Sequence, residues 1–598
     1  MVIGGRDLTE PRLDPSGRWL AFVSRLGSST AIMLVDLDAE EAVERVLVAQ
    51  PPPAAGRGRG GGCFDWCPDG AAIVFAGRDG SLWHQPVPGG RVHRLVEGTV
   101  ERPISAPTVA PTGAFVAFVV DQAEVWTIGL GADDGPGRRL DGGLHEFCLD
   151  PSFAPCGTTV AYQAWSPPDM PWDGAVVVTV DLPTGDRTVA DLADGAWQQP
   201  GFAPDGAGVA VHDGDGLLQV RWGDRPVVPE ERWEHAEPTW GAGQRSYAVS
   251  PDGERVGIAR NEDGFGRLIA VDVASGTLES VARGVHGALS WSGDRLAALR
   301  SGARTPTQIV VYDTTTWQRR TIAVGPVAGW DSVDLVEPEL VEATAADGAT
   351  LHGRLYRPPN GDGRLLCWIH GGPTSQWPVD FVPRLALWID RGWNLLLPDH
   401  RGSTGHGRRY QQALHGGWGQ LDVEDTATLL AATQAGGAGD PATTVVVGGS
   451  AGGMTVLGLV TGAHAKLVAG GIAAYPVTDL VELAERSHRY EAHYTDTLVA
   501  PRAPGDPVLR QRSLTAHAGR VARPLLMLHG TEDPVVPFEG TVEFAGAARS
   551  AGADVELHLF DGEGHGFTDP ANQRREDEVM AAFLARVTGG PAVTDGPG

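Results

Sequence analysis

A turn motif repeated along the first half of the sequence, and a glycine-flanked serine at the end of a β-branched run in the second, predict a β-propeller followed by an α/β-hydrolase domain. The repeat occurs at Leu13 to Gly17, Trp66 to Gly70, Ala110 to Gly113, Ala154 to Gly157, Ala203 to Gly206, Ser250 to Gly253 and Trp291 to Asp294. Successive copies lie 41 to 53 residues apart, about the length of one four-stranded propeller blade. Several copies carry Pro-Asp-Gly, in which proline presets φ and glycine accepts a positive φ, the chemistry of a tight turn between strands. Apolar runs such as Trp19 to Val23, Ala72 to Phe75 and Phe115 to Val119 follow these turns and read as blade strands. Seven blades are expected; eight remain as the alternative if one of the longer gaps hides a degenerate repeat.

The serine lies in Thr444 to Gly453, TVVVGGSAGG. A serine on a sharp strand-to-helix turn needs small neighbours two residues to either side, because strand and helix approach closely there, and Gly448 and Gly452 supply them. A helix is expected from Met454 to about Gly462, with the amides of its N-terminus directed at the site. Glycine is abundant in this chain, at 82 residues, so the motif gains meaning only if a base and an acid follow it in the order this fold uses.

They do follow. The strand-like run Pro524 to Leu528 leads to His529-Gly530-Thr531-Glu532-Asp533, and the run Val555 to Phe560 leads to Asp561-Gly562-Glu563-Gly564-His565. Asp533 and His565 thus sit in loops past the carboxyl ends of buried strands, where open α/β sheets build their sites. In that arrangement His565 takes the proton of Ser450 and later passes it to the leaving group, while Asp533 orients the imidazole and stabilises its charged form. Asp561 and His529 are the nearest rivals for acid and base. Upstream, Leu365 to Ile369 reads as a buried strand running into His370-Gly371-Gly372-Pro373. The Gly372 amide there and the Ala451 amide next to the nucleophile are the expected oxyanion donors, each worth about 100- to 1000-fold in turnover. Asp422, Glu424 and Asp425 are read as the acidic start of a helix, suited to its N-terminal dipole, and not as a metal or catalytic cluster.

These segments, together with Pro398 to Gly407, Gly417 to Asp425, Pro476 to Asp479 and Gly564 to Gly566, resemble the catalytic domain of the prolyl oligopeptidase family of serine peptidases, and within it the acylaminoacyl-peptidase and dipeptidyl-aminopeptidase branches. The resemblance is specific from about residue 340 to 587 and extends upstream by architecture only. It implies a propeller that covers the active site and admits short peptides. It also implies that Tyr475 to Leu483 lines the pocket for the residue donating the scissile carbonyl. Val477, Leu480 and Leu483 are aliphatic there, which implies an apolar pocket without proline selectivity. Two residues after the acid, where the two branches carry arginine or asparagine, this chain has Val535, so neither substrate pattern is matched.

The boundary is expected near Gly329-Trp330, giving a propeller over 1–329, a hydrolase over 330–587 and a Gly/Pro-rich disordered tail over 588–598. The formal charge of -28 and the absence of clustered cations argue against nucleic acid or an anionic membrane as partner. No apolar run is long enough for a membrane helix and no leader pattern opens the chain, so a soluble cytoplasmic protein is expected. The five cysteines show neither disulfide nor zinc spacing. Neither metal nor cofactor is called for, since each chemical role has a protein group. The resemblance implies self-association, with monomer, dimer and larger assembly all open. Three functions fit: a serine peptidase on acylaminoacyl, dipeptidyl or oligopeptide substrates; an esterase, amidase or acyl transferase using the same residues on a small metabolite; and a non-catalytic propeller scaffold.

Overall fold

The structure is a computed structural model and describes residues 5–56, 60–131, 137–190, 194–325, 330, 333, 335–500 and 507–589. It forms two compact units, one comprising Gly5–Val327 with Pro378–Asp380, the other centred on Ala328–Trp377 and the chain from Phe381 onward. Gly329, on the expected boundary, and the tail beyond residue 589 lie outside the described residues. Thr588, assigned to the tail from composition, is the last residue of the helix Pro570–Thr588.

The first unit contains seven four-stranded antiparallel sheets, each built from four consecutive strands, over 7–48, 64–96, 104–139, 147–190, 197–226, 247–283 and 285–324. That is a seven-bladed propeller. All seven repeated turns join the first and second strands of their blades. In the first six the closing glycine has φ between +68° and +89°, a conformation that explains why glycine recurs there. Its N–H donates to the carbonyl three residues earlier, as Gly17 does to Asp14 at 2.9 Å and Gly113 to Ala110 at 2.8 Å. Among the described residues, no strand is exchanged between the first and last blades. Their seam is closed by the Leu13 N–H donating to Ser290 Oγ (3.0 Å), the Ser292 hydroxyl to the Pro15 carbonyl (2.9 Å) and Arg295 to the Gly17 carbonyl (2.8 Å). Leu20, Phe22 and Val35 pack there with Ala297 and Ile309 in one buried cluster.

The innermost strands share a device that the repeat spacing does not reveal. In five blades this strand carries a β-bulge. Its extra residue is left-handed: Glu10, Ala106, Asp150, Gln199 and Ala288 have φ between +50° and +54°. In the second and sixth blades Gly62 (φ +75°) and Gly243 (φ +80°) precede a shorter inner strand. A bulge turns its extra residue out of the ladder, and here the ladder ends at the propeller axis.

The second unit is organised on one eight-stranded sheet in the order Glu339–Thr344, Thr350–Tyr356, Asn394–Asp399, Leu365–Ile369, Thr444–Gly449, Gly470–Ala474, Leu525–Gly530, Val555–Phe560. The first three strands pair antiparallel, and every pairing beyond Asn394–Asp399 is parallel. Leu365–Ile369, Gly470–Ala474 and Leu525–Gly530 are buried along their whole length, as parallel strands covered on both faces must be. Among the described residues, no helix is long and apolar enough to cross a membrane.

Candidate active site

Five neighbouring parallel strands end in the five segments of interest. Ile369 runs into His370, Gly449 into Ser450, Ala474 into Tyr475, Gly530 into the Asp533 loop and Phe560 into the His565 loop. Because these strands are in register side by side, residues up to 195 positions apart in sequence, His370 and His565, are delivered to one edge of the sheet.

Ser450 has φ +56° and ψ −123°, outside the ordinary regions for a residue with a side chain. The helix Ala451–Thr461 starts at once after it, three residues earlier than the sequence suggested, because Gly452 and Gly453 are tolerated in its first turn. The closeness of approach is measurable. A Cβ on Gly448 would lie 2.4 Å from the Gly452 carbonyl oxygen, and one on Gly452 would lie 2.6 Å from the carbonyl oxygens of both Ile369 and His370. Backbone, not flexible side chain, would have to move. Ala451 is the first residue of the helix, so its N–H is among those with no partner inside the helix.

The loop carrying Gly372 is held by His370. Its Nδ1 lies 2.8 Å from the Gly371 carbonyl and its Nε2 2.7 Å from Ser403 Oγ. A carbonyl can only accept, so Nδ1 carries the proton and Nε2 accepts from the serine hydroxyl. Burial, helped by His400 stacked at 4.7 Å, pushes the His370 pKa down to about 3, which keeps this ring neutral. With the Gly371 carbonyl pinned, the planar peptide sends the Gly372 N–H to the opposite side. A Cβ on Gly371 would come 3.4 Å from that of Ser450, so this loop lies directly against the elbow.

His565 Nδ1 lies 2.7 Å from Asp533 Oδ2, and the Asp533 side chain is fully buried at 0% exposure. The other carboxylate oxygen accepts the N–H groups of Val535 (2.8 Å) and Val536 (2.9 Å). Burial by itself would raise the Asp533 pKa. Hydrogen bonds from His529 and His565 outweigh it and hold the carboxyl well below the usual range, so Asp533 is an anion. Tyr475 (φ +36°) connects this pair with the elbow. Its ring centroid is 4.7 Å from that of His565, and its ring atoms lie 2.8 Å from where a Cβ on Gly449 would be. The apolar positions divide. Val477 and Leu480 are buried at 4% and 0%, packed into the protein, whereas Leu483 and Val535 are half-buried and retain surface for a ligand.

Two residues of this region take roles that the sequence reading did not give them. Glu563 is buried at 3% and accepts from the N–H groups of Thr568 (2.9 Å) and Asp569 (3.0 Å) and from Asn572 Nδ2 (2.9 Å). It thereby closes the loop that carries His565. His529, weighed above as a rival base, is wholly buried and cannot meet a substrate. Its Nε2 lies 3.0 Å from the Val536 carbonyl and 3.3 Å from Asp533 Oδ2, while Nδ1 lies 2.8 Å from Thr541 Oγ1. The carbonyl fixes the proton on Nε2, so His529 is a donor shared with the carboxylate of Asp533, a positioning residue behind the acid. Replacing it by leucine is expected to lower kcat about 10- to 100-fold with KM unchanged, and His529→Gln, which keeps an N–H donor, is expected to recover most of the loss. Steady-state kinetics of the two variants checks this; equal losses in both would reduce His529 to a packing residue. Glu563 could have been suspected from Glu-Gly-His, but nothing in a linear sequence shows that His529 and His565 share one carboxylate.

The acidic helix start also differs from expectation. Asp422, Glu424 and Asp425 do lie in the first turns of the helix Leu421–Ala435. Asp422 and Asp425, however, are buried at 0% and 1% and serve as bonding partners more than as partners of the helix dipole. Asp422 accepts from the Thr455 hydroxyl (2.6 Å), tying this helix to the one after Ser450, and Asp425 pairs with Arg401 (2.7 Å).

A strained serine turn between a buried strand and a helix, in a sheet of this topology, is the arrangement of the α/β-hydrolase fold. The comparisons narrow the class: residues 379–591 match the family model of the prolyl oligopeptidase family, Peptidase_S9. The chain is 27% identical over 267 residues to dipeptidyl peptidase family member 6 of Caenorhabditis elegans, covering 44% of this chain and 36% of the relative. It is 30% identical over 216 residues to the acylamino-acid-releasing enzyme of Arabidopsis thaliana, covering 34% of this chain and 28% of the relative. The aligned stretches thus span only about a third of these relatives. Among solved structures, puromycin hydrolase superposes with a TM-score of 0.84 at 26% identity, covering 98% of this chain and 95% of that one.

Proposed function

We propose that this protein is a serine peptidase that hydrolyses short peptides through an acyl-enzyme on Ser450. The observation that carries the reading is the buried, anionic Asp533 hydrogen-bonded to His565 at 2.7 Å, on the same sheet edge as the strained Ser450 turn. In the proposed mechanism His565 draws the proton from Ser450 Oγ as it attacks the scissile carbonyl. The Gly372 and Ala451 N–H groups receive the developing oxyanion. His565 then protonates the departing amine, and a water activated by the same ring releases the acyl group, with Asp533 stabilising the imidazolium at both stages. The neutral His370 supports the reading by fixing the peptide that bears the Gly372 donor. Leu483 and Val535 offer an apolar surface to the side chain on the acyl side, with Val477 and Leu480 behind them.

The names of the relatives favour amide over ester substrates: an acylamino-acid-releasing enzyme, a dipeptidyl peptidase, and a puromycin hydrolase of which a mutant has been solved in complex with PGG. The propeller over 1–329 is proposed to restrict the size of substrate reaching the hydrolase over 330–587. Five cysteines without a disulfide suit a reducing, cytoplasmic compartment. The test is a panel of free dipeptidyl, acyl-aminoacyl and aminoacyl amides beside simple esters, with a 20-residue peptide as the size control. Turnover of short amides and not of the long peptide is expected. Turnover of esters alone would replace the peptidase reading with an esterase.

A further inference from the structure

The propeller holds a polar chamber lined by none of the residues assigned to the proposed reaction. The seven left-handed residues of the inner strands surround the axis, and at their level the axis is bridged. The Gly61 N–H of the second blade donates to the Ala242 carbonyl, which leads into the sixth blade, at 3.1 Å. The Gly243 N–H donates to Asp150 Oδ1 of the fourth blade at 2.6 Å. Blades two, four and six are not neighbours, so these bonds cross the axis. A Cβ on Gly243 would lie 2.0 Å from the Gly62 nitrogen, which shows how tightly the bridge is closed. Beside it is a cavity of about 290 Å³ to which every blade contributes wall, close to the lower limit of small-molecule pockets, about 300 Å³.

The wall carries polar groups of both signs with unspent bonding capacity. Arg12 is 4% exposed, and its Nε and Nη1 have no hydrogen-bond partner among the described residues. Asp150 Oδ2 is likewise buried and unpartnered. Arg245, which lines the chamber, is an exposed side chain. The other acids nearby are engaged. Glu10 accepts from Arg12 (2.8 Å) and from the Gly62 N–H (3.0 Å), and Asp65 accepts from the Val109 N–H (2.9 Å) and lies 3.5 Å from Arg12 Nη1. Leaving a buried polar atom unbonded costs about 1–3 kcal/mol, more for a charged group, so these atoms call for an occupant. The groups of opposite sign that keep unbonded atoms are the Arg12 guanidinium and the Asp150 carboxylate. A molecule bearing both charges answers both.

We propose that the axial chamber of the propeller is a binding site for a small zwitterion, a free α-amino acid, with its ammonium on Asp150 Oδ2 and its carboxylate on the Arg12 and Arg245 side. Burial raises the Asp150 pKa to about 6, which still leaves it ionised at neutral pH and ready for an ammonium partner. The site lies within one unit and does not depend on the assignment of the catalytic residues.

The experiment titrates the purified full chain with glycine and with L-alanine, following thermal midpoint and saturation-transfer NMR, beside acetate and methylammonium as the two halves of the zwitterion. Saturable binding of an amino acid is expected, with either half binding at least tenfold more weakly. Asp150→Asn keeps the acceptor for the Gly243 N–H, and Arg245→Gln alters a side chain with accessible surface; each is expected to weaken binding at least tenfold while peptide turnover is unchanged. No saturable binding by wild type would mean that water fills the chamber, and acetate binding as well as glycine would make it an anion site only. Undiminished binding in both variants would place the ligand elsewhere. Any of these three results overturns the proposal.

Discussion

Ser450→Ala is expected to lose about a million-fold in turnover of any substrate the wild type cleaves, and to lose all labelling by a fluorophosphonate probe. The size follows from what the hydroxyl does: without it there is no acyl-enzyme, and the oxyanion donors and binding surface leave only a residual advantage over water, about 10³- to 10⁴-fold. The fold should be unaffected. The strain at φ +56° belongs to the backbone, and alanine bears it as serine does. His565→Ala is expected to lose a comparable amount, and the double variant little more than either single one, because the residues act as a unit. A Ser450→Ala protein that still takes up the probe, or losses that multiply in the double variant, would remove Ser450 from its assigned role.

The second large effect is on stability. Asp399 ends a strand of the central sheet at 0% side-chain exposure, and its carboxylate takes two bonds of 2.6 Å from Arg354, with His406 at 2.7 Å and Gln376 at 2.8 Å. Arg354→Leu would leave that charge buried with its main partner gone, and a loss of about 3–5 kcal/mol is expected. Lysine should not rescue it, since a single ammonium cannot reproduce the bidentate fork. Replacing Arg354 and Asp399 together by leucine should recover much of the loss, because no uncompensated charge then remains. Urea unfolding followed by tryptophan fluorescence distinguishes these cases; an unchanged midpoint in Arg354→Leu would show that the pair carries no stability.

The same carboxylate sets a pH dependence. Burial opposes ionisation of Asp399, but Arg354 and His406 outweigh it and hold the folded pKa far below the ordinary value of 3.8. A group depressed on folding binds fewer protons in the folded state than in the unfolded one, so its contribution is complete above the unfolded pKa and is lost as pH falls below it. Asp533, depressed by His529 and His565 against its own burial, adds in the same direction. The contribution of these two carboxylates should therefore be complete from neutral pH to about pH 5 and be lost progressively below about pH 4.

How much of this was legible in the sequence differs from element to element. The propeller could be counted because each blade needs a tight turn between its first two strands, and a left-handed turn position selects glycine whatever surrounds it. The parallel strands were visible as short apolar runs because both faces are covered. The elbow was visible because backbone crowding at Gly448 and Gly452 excludes any side chain, a constraint written directly into residue type. The start of the following helix was missed by three residues because glycine is a poor helix former in isolation, and here the tertiary setting decides.

The sequence by itself determined the seven blades and the glycine-flanked turn at Ser450, since each is enforced by local backbone geometry. Only the tertiary structure decided that His529 stands behind Asp533, that His370 is a neutral anchor for the Gly371 carbonyl, that Asp422 and Asp425 are bonded inside the protein, and that the inner bulges bring Arg12, Asp150 and Arg245 to one chamber. These depend on groups far apart in the chain meeting at the ends of strands or at an axis. Such encounters are set by sheet order and register, and no window of sequence contains them.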